Sequence, residues 1–155
     1  FMRILVISDS HGNTRNIERA VESQPEANII IHLGDGADDI VDLEFVYRDK
    51  QFYQVAGNCD WGSSLPLEGE LKVADKTIFF VHGHEYRVKT NLQQIKMEAR
   101  KRNADIVLFG HTHLPITEYD DELYLLNPGS LQYADGTYGI IDITDAGISV
   151  QIIKV

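Results

Sequence analysis

The sequence predicts an α/β protein in which two β-sheets pack face to face and helices flank the β-sandwich. Two observations support this class. The first 60 residues follow the order strand, helix, strand, helix, strand, which is typical of a parallel sheet. The remainder adds strand patterns that bring the total to about ten, too many for one doubly wound sheet.

The first half of the chain contains three apolar runs that are typical of buried strands. They occupy residues 4–8, 28–33 and 51–56. A helix is predicted after the first run, capped by Asn13 or Thr14 and closed by Pro25. A second helix is expected within residues 37–48, where apolar residues recur at helical spacing.

The second half is predicted to form mainly hairpins, because short turn sequences separate paired strand patterns. The pairs are residues 71–73 with 77–81, 116–119 with 123–126, and 138–143 with 148–153. Residues 105–109 form one more apolar strand, and residues 61–69 are expected to form a loop. Residues 90–93 (TNLQ) resemble a capping box that begins a helix ending near Asn103.

Length, charge and cysteine content narrow the functional classes. The 155 residues fit one domain, expected over residues 2–155. A net charge of -10 argues against binding to a nucleic-acid polymer or an anionic membrane, although divalent cations could still attract a phosphate ester. Cys59 is the only cysteine and no apolar run has the roughly 20 residues of a membrane span, so we expect a cytoplasmic protein.

Polar clusters follow five of the apolar runs, and five of the six histidines lie in them. The clusters are Asp9-Ser10-His11-Gly12, Gly34-Asp35-Gly36, Gly57-Asn58-Cys59-Asp60, His82-Gly83-His84 and Gly110-His111-Thr112-His113. In open α/β sheets, ligands bind beyond the carboxyl ends of the strands. We therefore expect the five clusters to meet at one edge of the molecule.

The donor atoms of these clusters favour two metal ions. About seven imidazole, carboxylate and amide ligands are available, whereas one metal usually takes three or four from the protein. Such a mixture suits manganese, iron, zinc, cobalt or nickel better than calcium. Taken singly, a polar residue after a strand is usually a turn residue, and we keep a structural interpretation for His32.

Glycines beside the ligands are expected to adopt positive φ or to allow close approach of the backbone. They are Gly12, Gly34, Gly57, Gly83 and Gly110.

In this order, the five motifs resemble those of the calcineurin-like metallophosphoesterases. The short chain and its Gly-Asn-Cys-Asp motif are similar to the small YfcE-type phosphodiesterases of that superfamily. The resemblance covers residues 3 to about 130, including a supporting loop at Asn127-Pro128-Gly129-Ser130. It implies a four-layer α-β-β-α metallophosphoesterase fold with two divalent metal ions. Manganese is favoured, with iron, zinc, nickel, cobalt or magnesium as alternatives.

The resemblance also implies roles for individual residues. One metal would be held by Asp9, His11, Asp35 and His113. The other would be held by Asp35, Asn58, His82 and His111. The Asp35 carboxylate would bridge the metals, and a hydroxide between them would attack phosphorus in line.

One position departs from the family pattern. Many members have histidine where this chain has Cys59, and that histidine protonates the leaving group or stabilises the phosphoryl oxygens. A thiol with a pKa of about 8.5 is a poorer donor, so we expect a preference for diesters or for good leaving groups. Two other interpretations of Cys59 are an inert small residue near the site and an oxidation-sensitive residue, and we favour the inert residue. Asp60 is expected to orient a ligand or shape the turn, and His84 either contacts substrate phosphate or is structural.

The leading interpretation is a metal-dependent phosphodiesterase acting on a small phosphoester. The alternatives are a scaffold protein on the same fold, as in a retromer subunit, a phosphomonoesterase, or a nuclease. The filled ligand positions oppose a scaffold, and the acidic composition opposes a nuclease. Residues 60–67, which include Trp61, are expected to line the mouth of the site. The sequence leaves open the substrate, the metal and whether the protein is a homo-oligomer.

Overall fold

Ten β-strands form two sheets of five in the computed structural model, which describes residues 1–155. The strands are β1 (Met2–Ile7), β2 (Ala27–His32), β3 (Gln51–Gln54), β4 (Glu68–Val73), β5 (Lys76–Val81), β6 (Ile106–Leu108), β7 (Ile116–Asp120), β8 (Leu123–Asn127), β9 (Thr137–Thr144) and β10 (Gly147–Lys154). The α-helices are α1 (Thr14–Ser23), α2 (Val41–Val46) and α3 (Gln93–Lys101), and a 3-10 helix spans His84–Tyr86.

Both sheets are mixed. The first has the order β10-β9-β1-β2-β3, with β1, β2 and β3 parallel. The helical connections explain this direction, because α1 joins β1 to β2 and α2 joins β2 to β3. The second sheet has the order β4-β5-β6-β8-β7, and its three central strands are parallel.

The sheets pack face to face and the helices cover their outer faces. Alternate residues of β1 separate the layers: Ile4 and Val6 face the apolar core between the sheets, whereas Leu5 and Ile7 pack in the cluster beneath α1 and α2. On the other side, Phe79 of β5 packs in the cluster that contains α3. The four-layer α-β-β-α arrangement predicted from the sequence is therefore confirmed.

Helix α1 forms where the sequence predicted it. Ile17, Ala20 and Val21 lie on one face and are buried. The Asn13 side chain caps the helix by accepting a hydrogen bond from the Asn16 N–H at 3.1 Å. The buried face of α1 thereby packs in the same apolar cluster as Leu5 and Ile7 of β1.

Two helical predictions differ from the structure. Helix α2 covers Val41–Val46 rather than most of residues 37–48. The predicted capping box is wrong, because α3 begins at Gln93 without a side-chain cap at Leu92. A turn after the 3-10 helix takes up Thr90, whose N–H donates to Arg87 O at 2.9 Å. No helix in the structure combines the length and apolar character needed to cross a membrane.

Candidate metal centre

The candidate ligands stand just beyond the carboxyl ends of strands from both sheets. Asp9 and Asp35 follow β1 and β2 of the first sheet, and Asn58 follows β3. His82 directly follows β5, and His111 follows β6 in the second sheet. The structure brings these ends together at one edge, so each sheet supplies part of one polar cluster.

Three imidazoles surround one oxygen of the Asp9 carboxylate. Its Oδ1 lies 3.1 Å from His113 Nε2, and 3.8 Å from both His11 Nε2 and His82 Nε2. Oδ2 accepts hydrogen bonds from Ser8 Oγ and the His111 N–H. Oδ1 is buried and accepts no hydrogen bond, which leaves a buried carboxylate oxygen without a donor.

Asp35 lies between two of the imidazoles. Its Oδ2 is 3.2 Å from His82 Nε2 and 3.7 Å from His11 Nε2. Its Oδ1 accepts a hydrogen bond from the Cys59 N–H at 2.7 Å. The same His82 Nε2 lies 3.2 Å from His111 Nδ1. Asp35 thus occupies the position between two groups of nitrogen ligands.

The spacing of these atoms fits bound cations. Two ligands about 2.1 Å from one tetrahedral metal lie roughly 3.4 Å apart. Three groups have ligand atoms within 4.8 Å of one another: Asp9, His11 and His113; Asp35, His82 and His111; and His11, Asp35 and Cys59. A cation at the first group would also satisfy Asp9 Oδ1. The residues present therefore fit divalent metal ions.

Hydrogen bonds and burial set the ionisation of the ligands. The Nδ1–H of His82 donates to Leu33 O at 2.8 Å, which leaves Nε2 to face Asp35. Burial raises the pKa of Asp35, but His82 and the Cys59 N–H outweigh it and hold this pKa well below the usual range. Burial, aided by neighbouring His82, lowers the pKa of His111 to about 4, so its ring is neutral at pH 7. An anionic carboxylate and a neutral imidazole are the forms that bind metals.

The backbone of the ligand turns is strained. Five candidate ligands have positive φ, a region that non-glycine residues seldom adopt. They are Asp9 (52°), His11 (43°), Asp35 (60°), His111 (69°) and His113 (62°). Positive φ also occurs at Gly12, Gly34 and Gly83, whereas Gly57 and Gly110 allow close packing instead. A Cβ on Gly57 would meet the Asp35 carboxylate, and a Cβ on Gly110 would meet Ser8 Oγ.

Asp60 ties two ligand turns together. Its carboxylate accepts hydrogen bonds from the N–H groups of Asp35 (2.8 Å), Gly36 (3.0 Å), Ala37 (3.0 Å) and Gly57 (2.7 Å). Burial raises the pKa of Asp60, but these four donors outweigh it and lower the pKa overall. Asp60 therefore shapes both the turn after β2 and the turn after β3.

The end of β8 and the loop that follows it support the ligand turns. Asn127 Nδ2 donates to Gly110 O at 3.1 Å and to Thr112 Oγ1 at 2.9 Å. Ser130 Oγ donates to Asp9 O at 2.8 Å. These bonds hold both the His111 turn and the Asp9 turn.

Cys59 and Asn58 lie on the open side of the cluster. Both are exposed, and the Asn58 side-chain amide faces Cys59 Sγ at 3.7 Å rather than a carboxylate or imidazole. Cys59 Sγ lies within 4.8 Å of ligand atoms of His11 and Asp35. Burial and the nearby Asp35 raise the pKa of the Cys59 thiol, which keeps it protonated at pH 7. The role of Asn58 as a ligand stays a prediction.

His84 forms a wall of the cluster. Its ring centroid is 5.5 Å from that of His82, and its Nδ1 is buried without a hydrogen-bond partner. Burial and His82 lower its pKa, so the ring is neutral at pH 7. The contact with His82 leaves both predicted roles of His84 available.

Two residues outside the candidate ligand set support the ligand turns. Tyr133 Oη lies 3.2 Å from His113 Nδ1, and no sequence signal marks this residue, which lies in an irregular loop. His32 Nδ1 accepts from the Gly34 N–H at 3.1 Å, and its Nε2 lies 2.9 Å from Ser10 Oγ. Ser10 Oγ in turn donates to Asp39 at 2.6 Å. His32 thus links the first two ligand turns.

Comparison with known proteins identifies the family that the sequence motifs resemble, and the match covers most of the chain. Residues 2–146 match the calcineurin-like phosphoesterase superfamily domain. Probable metallophosphoesterase YsnB of Bacillus subtilis (strain 168) is 32% identical over 133 residues, which cover 84% of this chain and 76% of that protein. Phosphodiesterase MJ0936 of Methanocaldococcus jannaschii is 29% identical over 160 residues, covering 91% and 93%.

A solved structure shows the same fold. The crystal structure of a conserved uncharacterized protein from Streptococcus pneumoniae TIGR4, a predicted phosphoesterase, has a TM-score of 0.82 at 24% identity. The match covers 99% of this chain and 89% of that one. Fold and sequence together place the chain in a class of metallophosphoesterases. The chain belongs to the calcineurin-like phosphoesterase superfamily, as its five motifs predicted.

Proposed function

We propose that the protein is a phosphodiesterase that uses two divalent metal ions to hydrolyse a small phosphodiester. The observation that carries this proposal is the convergence of two buried carboxylates and four imidazoles, with Asp9 Oδ1 unpaired among them. When bound, the metals supply an activated water as nucleophile and neutralise charge on the phosphoryl oxygens. The phosphodiesterase name of a relative with matching length supports the diester substrate.

The residues would divide between the two metal positions. Asp9, His11 and His113 would hold one metal, and His82, His111 and Asn58 the other. Asp35 lies between the two groups and would bind both. Imidazole with carboxylate ligation suits manganese, iron, zinc, cobalt or nickel better than calcium.

The residues around the ligands would orient them, but they would provide no strong proton donor for the leaving group. Asp60 and Ser130 fix the turns that present Asp35 and Asp9. Cys59 stands closest to the open side, and its raised pKa makes its thiol a weak proton donor. Leaving groups that depart without strong protonation are therefore favoured.

A scaffold role on the same fold is the alternative. Scaffold proteins need no metal ligands, yet all seven candidate positions here hold a residue able to bind a metal. They are Asp9, His11, Asp35, Asn58, His82, His111 and His113.

Turnover of bis(p-nitrophenyl) phosphate, compared with p-nitrophenyl phosphate, tests the proposal. After treatment with EDTA, we expect no turnover of either ester. Added manganese should restore hydrolysis of the diester, with the monoester slower. Absence of diester hydrolysis with manganese, iron, zinc, nickel, cobalt and magnesium would support the scaffold role.

A further inference from the structure

A cleft of about 700 Å³ adjoins the candidate metal centre. It shares His11, Asp35 and Cys59 with the centre and continues between residues 36–39 and residues 60–65. An ester held by its phosphate at the centre would therefore extend one of its two organic groups into this cleft. The chemistry of the cleft wall decides which organic group is favoured.

The cleft wall is acidic and has no cationic side chain. Neither lysine nor arginine lines it, whereas Asp38 and Asp39 do. Asp38 is exposed, and Asp39 is half-buried with one oxygen bonded to Ser10 Oγ and the Gly12 N–H. Asp60 also lines the cleft, but its charge is met by four backbone N–H groups. A second phosphate or a carboxylate would be repelled here, and a cation would be attracted.

An aromatic face and an unpaired acceptor point to the same kind of ligand. Trp61 lines the cleft and is 90% exposed, which is unusual for the largest apolar side chain. Indole is the aromatic ring that attracts cations most strongly. Gln54 also lines the cleft, and its Oε1 has no hydrogen-bond partner.

We propose that this cleft binds an ammonium group, so that the preferred substrates are phosphodiesters of ammonium-bearing alcohols. The inference rests on the proposed phosphodiesterase function. In the reaction, water forms a new P–O bond, the P–O bond to the ammonium alcohol breaks, and the alcohol leaves with a proton. A phosphomonoester remains. An ammonium group two carbons from the oxygen also lowers the pKa of the departing alcohol, which eases its departure.

Two diesters of nearly the same shape provide the test. Because choline is also the better leaving group, variants of the cleft residues separate binding of the charge from leaving-group reactivity. They are methyl phosphate esters of choline and of 3,3-dimethylbutanol, in which a neutral carbon replaces the ammonium nitrogen. We expect kcat/KM, followed by NMR of the released alcohol, to favour the choline ester by about tenfold at low salt. The preference should decrease at high salt, because the charges lie at an open surface.

Variants locate the origin of the preference. D38N and W61L should each reduce the ratio of the two kcat/KM values to about threefold or less. D145N, in the distant turn between β9 and β10, is the matched control and should leave the ratio unchanged. Equal kcat/KM values for the two esters in the unmodified protein would overturn the inference.

Fluorescence gives a readout that does not depend on activity. Trp61 is the only tryptophan, so emission reports the cleft directly. Choline should change the emission of the EDTA-treated protein with a saturable dependence, and 3,3-dimethylbutanol should not. Failure of bis(p-nitrophenyl) phosphate turnover would contradict the proposed function while leaving this binding result intact. Turnover of that diester without an ammonium preference or a fluorescence response would contradict only the ammonium site.

Discussion

The carboxylate of Asp60 accepts a hydrogen bond from the backbone N–H of Asp35, with 2.8 Å between Oδ2 and N. The same Oδ2 accepts from the Gly57 N–H at 2.7 Å. One side chain therefore fixes the turn that presents Asp35 and the turn that presents Asn58. The candidate metal centre depends on this residue even though Asp60 need not touch a metal.

The first prediction concerns D60N. Asparagine offers one acceptor oxygen and points an N–H₂ donor at backbone donors, so the two turns should loosen. We expect kcat/KM for bis(p-nitrophenyl) phosphate to fall about 10- to 100-fold, with weaker manganese binding in a metal titration. D145N serves as the control with the same chemical change at a distant turn. A manganese titration of D60N identical to that of D145N would show that Asp60 is not a positioning residue.

A second prediction follows from the positive φ of 62° at His113. Glycine relieves this strain, whereas alanine retains a Cβ, and both remove the imidazole. In urea unfolding with EDTA present, H113G should exceed H113A in free energy of unfolding by about 0.5–1 kcal/mol. Both variants should bind less manganese than the unmodified protein. Equal or greater stability of H113A would mean that the ligand turn stores no strain.

A third prediction concerns the proton donor. In C59H, an imidazole replaces a thiol whose pKa is raised, so leaving-group protonation should improve. Hydrolysis of an alkyl diester such as dimethyl phosphate should accelerate by about 100-fold or more, and bis(p-nitrophenyl) phosphate should change far less. C59S controls for the loss of the thiol. An unchanged rate on the alkyl diester would rule out this explanation of substrate preference.

The fourth prediction is a pH dependence of stability from His32. Burial lowers the pKa of His32 to about 4, against 6.5 for the free side chain. Between these pH values His32 is protonated in the unfolded state but remains neutral in the folded state. The free energy of unfolding therefore decreases as pH falls from about 6.5 to about 4. From pH 7 to pH 5 this amounts to about 2 kcal/mol.

Urea unfolding of the EDTA-treated protein at the two pH values provides the measurement. H32Q, which cannot titrate, should lose less stability over this interval by about the same 2 kcal/mol. NMR titration of the His32 ring protons is an independent check and should show no midpoint above pH 5. A midpoint near 6.5 would contradict the burial account.

Much of the fold and the location of the site could be predicted from the sequence for a simple physical reason. Buried parallel strands give continuous apolar runs, as in β1 and β2, and the first polar residues after each run lie at the sheet edge. Asp9, Asp35 and His82 are therefore visible in sequence as interruptions that follow a strand.

The parts that could not be predicted depend on contacts between distant residues. Tyr133 contacts His113, which is 20 residues away in the sequence. Residues 90–93 fit a local capping pattern that predicts a helix start at Thr90. In the structure Thr90 belongs to the turn after the 3-10 helix, and α3 begins at Gln93. Local sequence patterns carry no information about that competition.

In the proposed function, Asp35 joins two metal positions. The most direct measurement is elemental analysis of the manganese-loaded protein and of D35N, with bis(p-nitrophenyl) phosphate turnover on the same samples. We predict about two metal ions per chain, at most about one in D35N, and a loss of turnover of at least about 1,000-fold. A D35N protein that retains both metals and its turnover, or an unmodified protein that stays metal-free and inactive after manganese is added, would contradict the account.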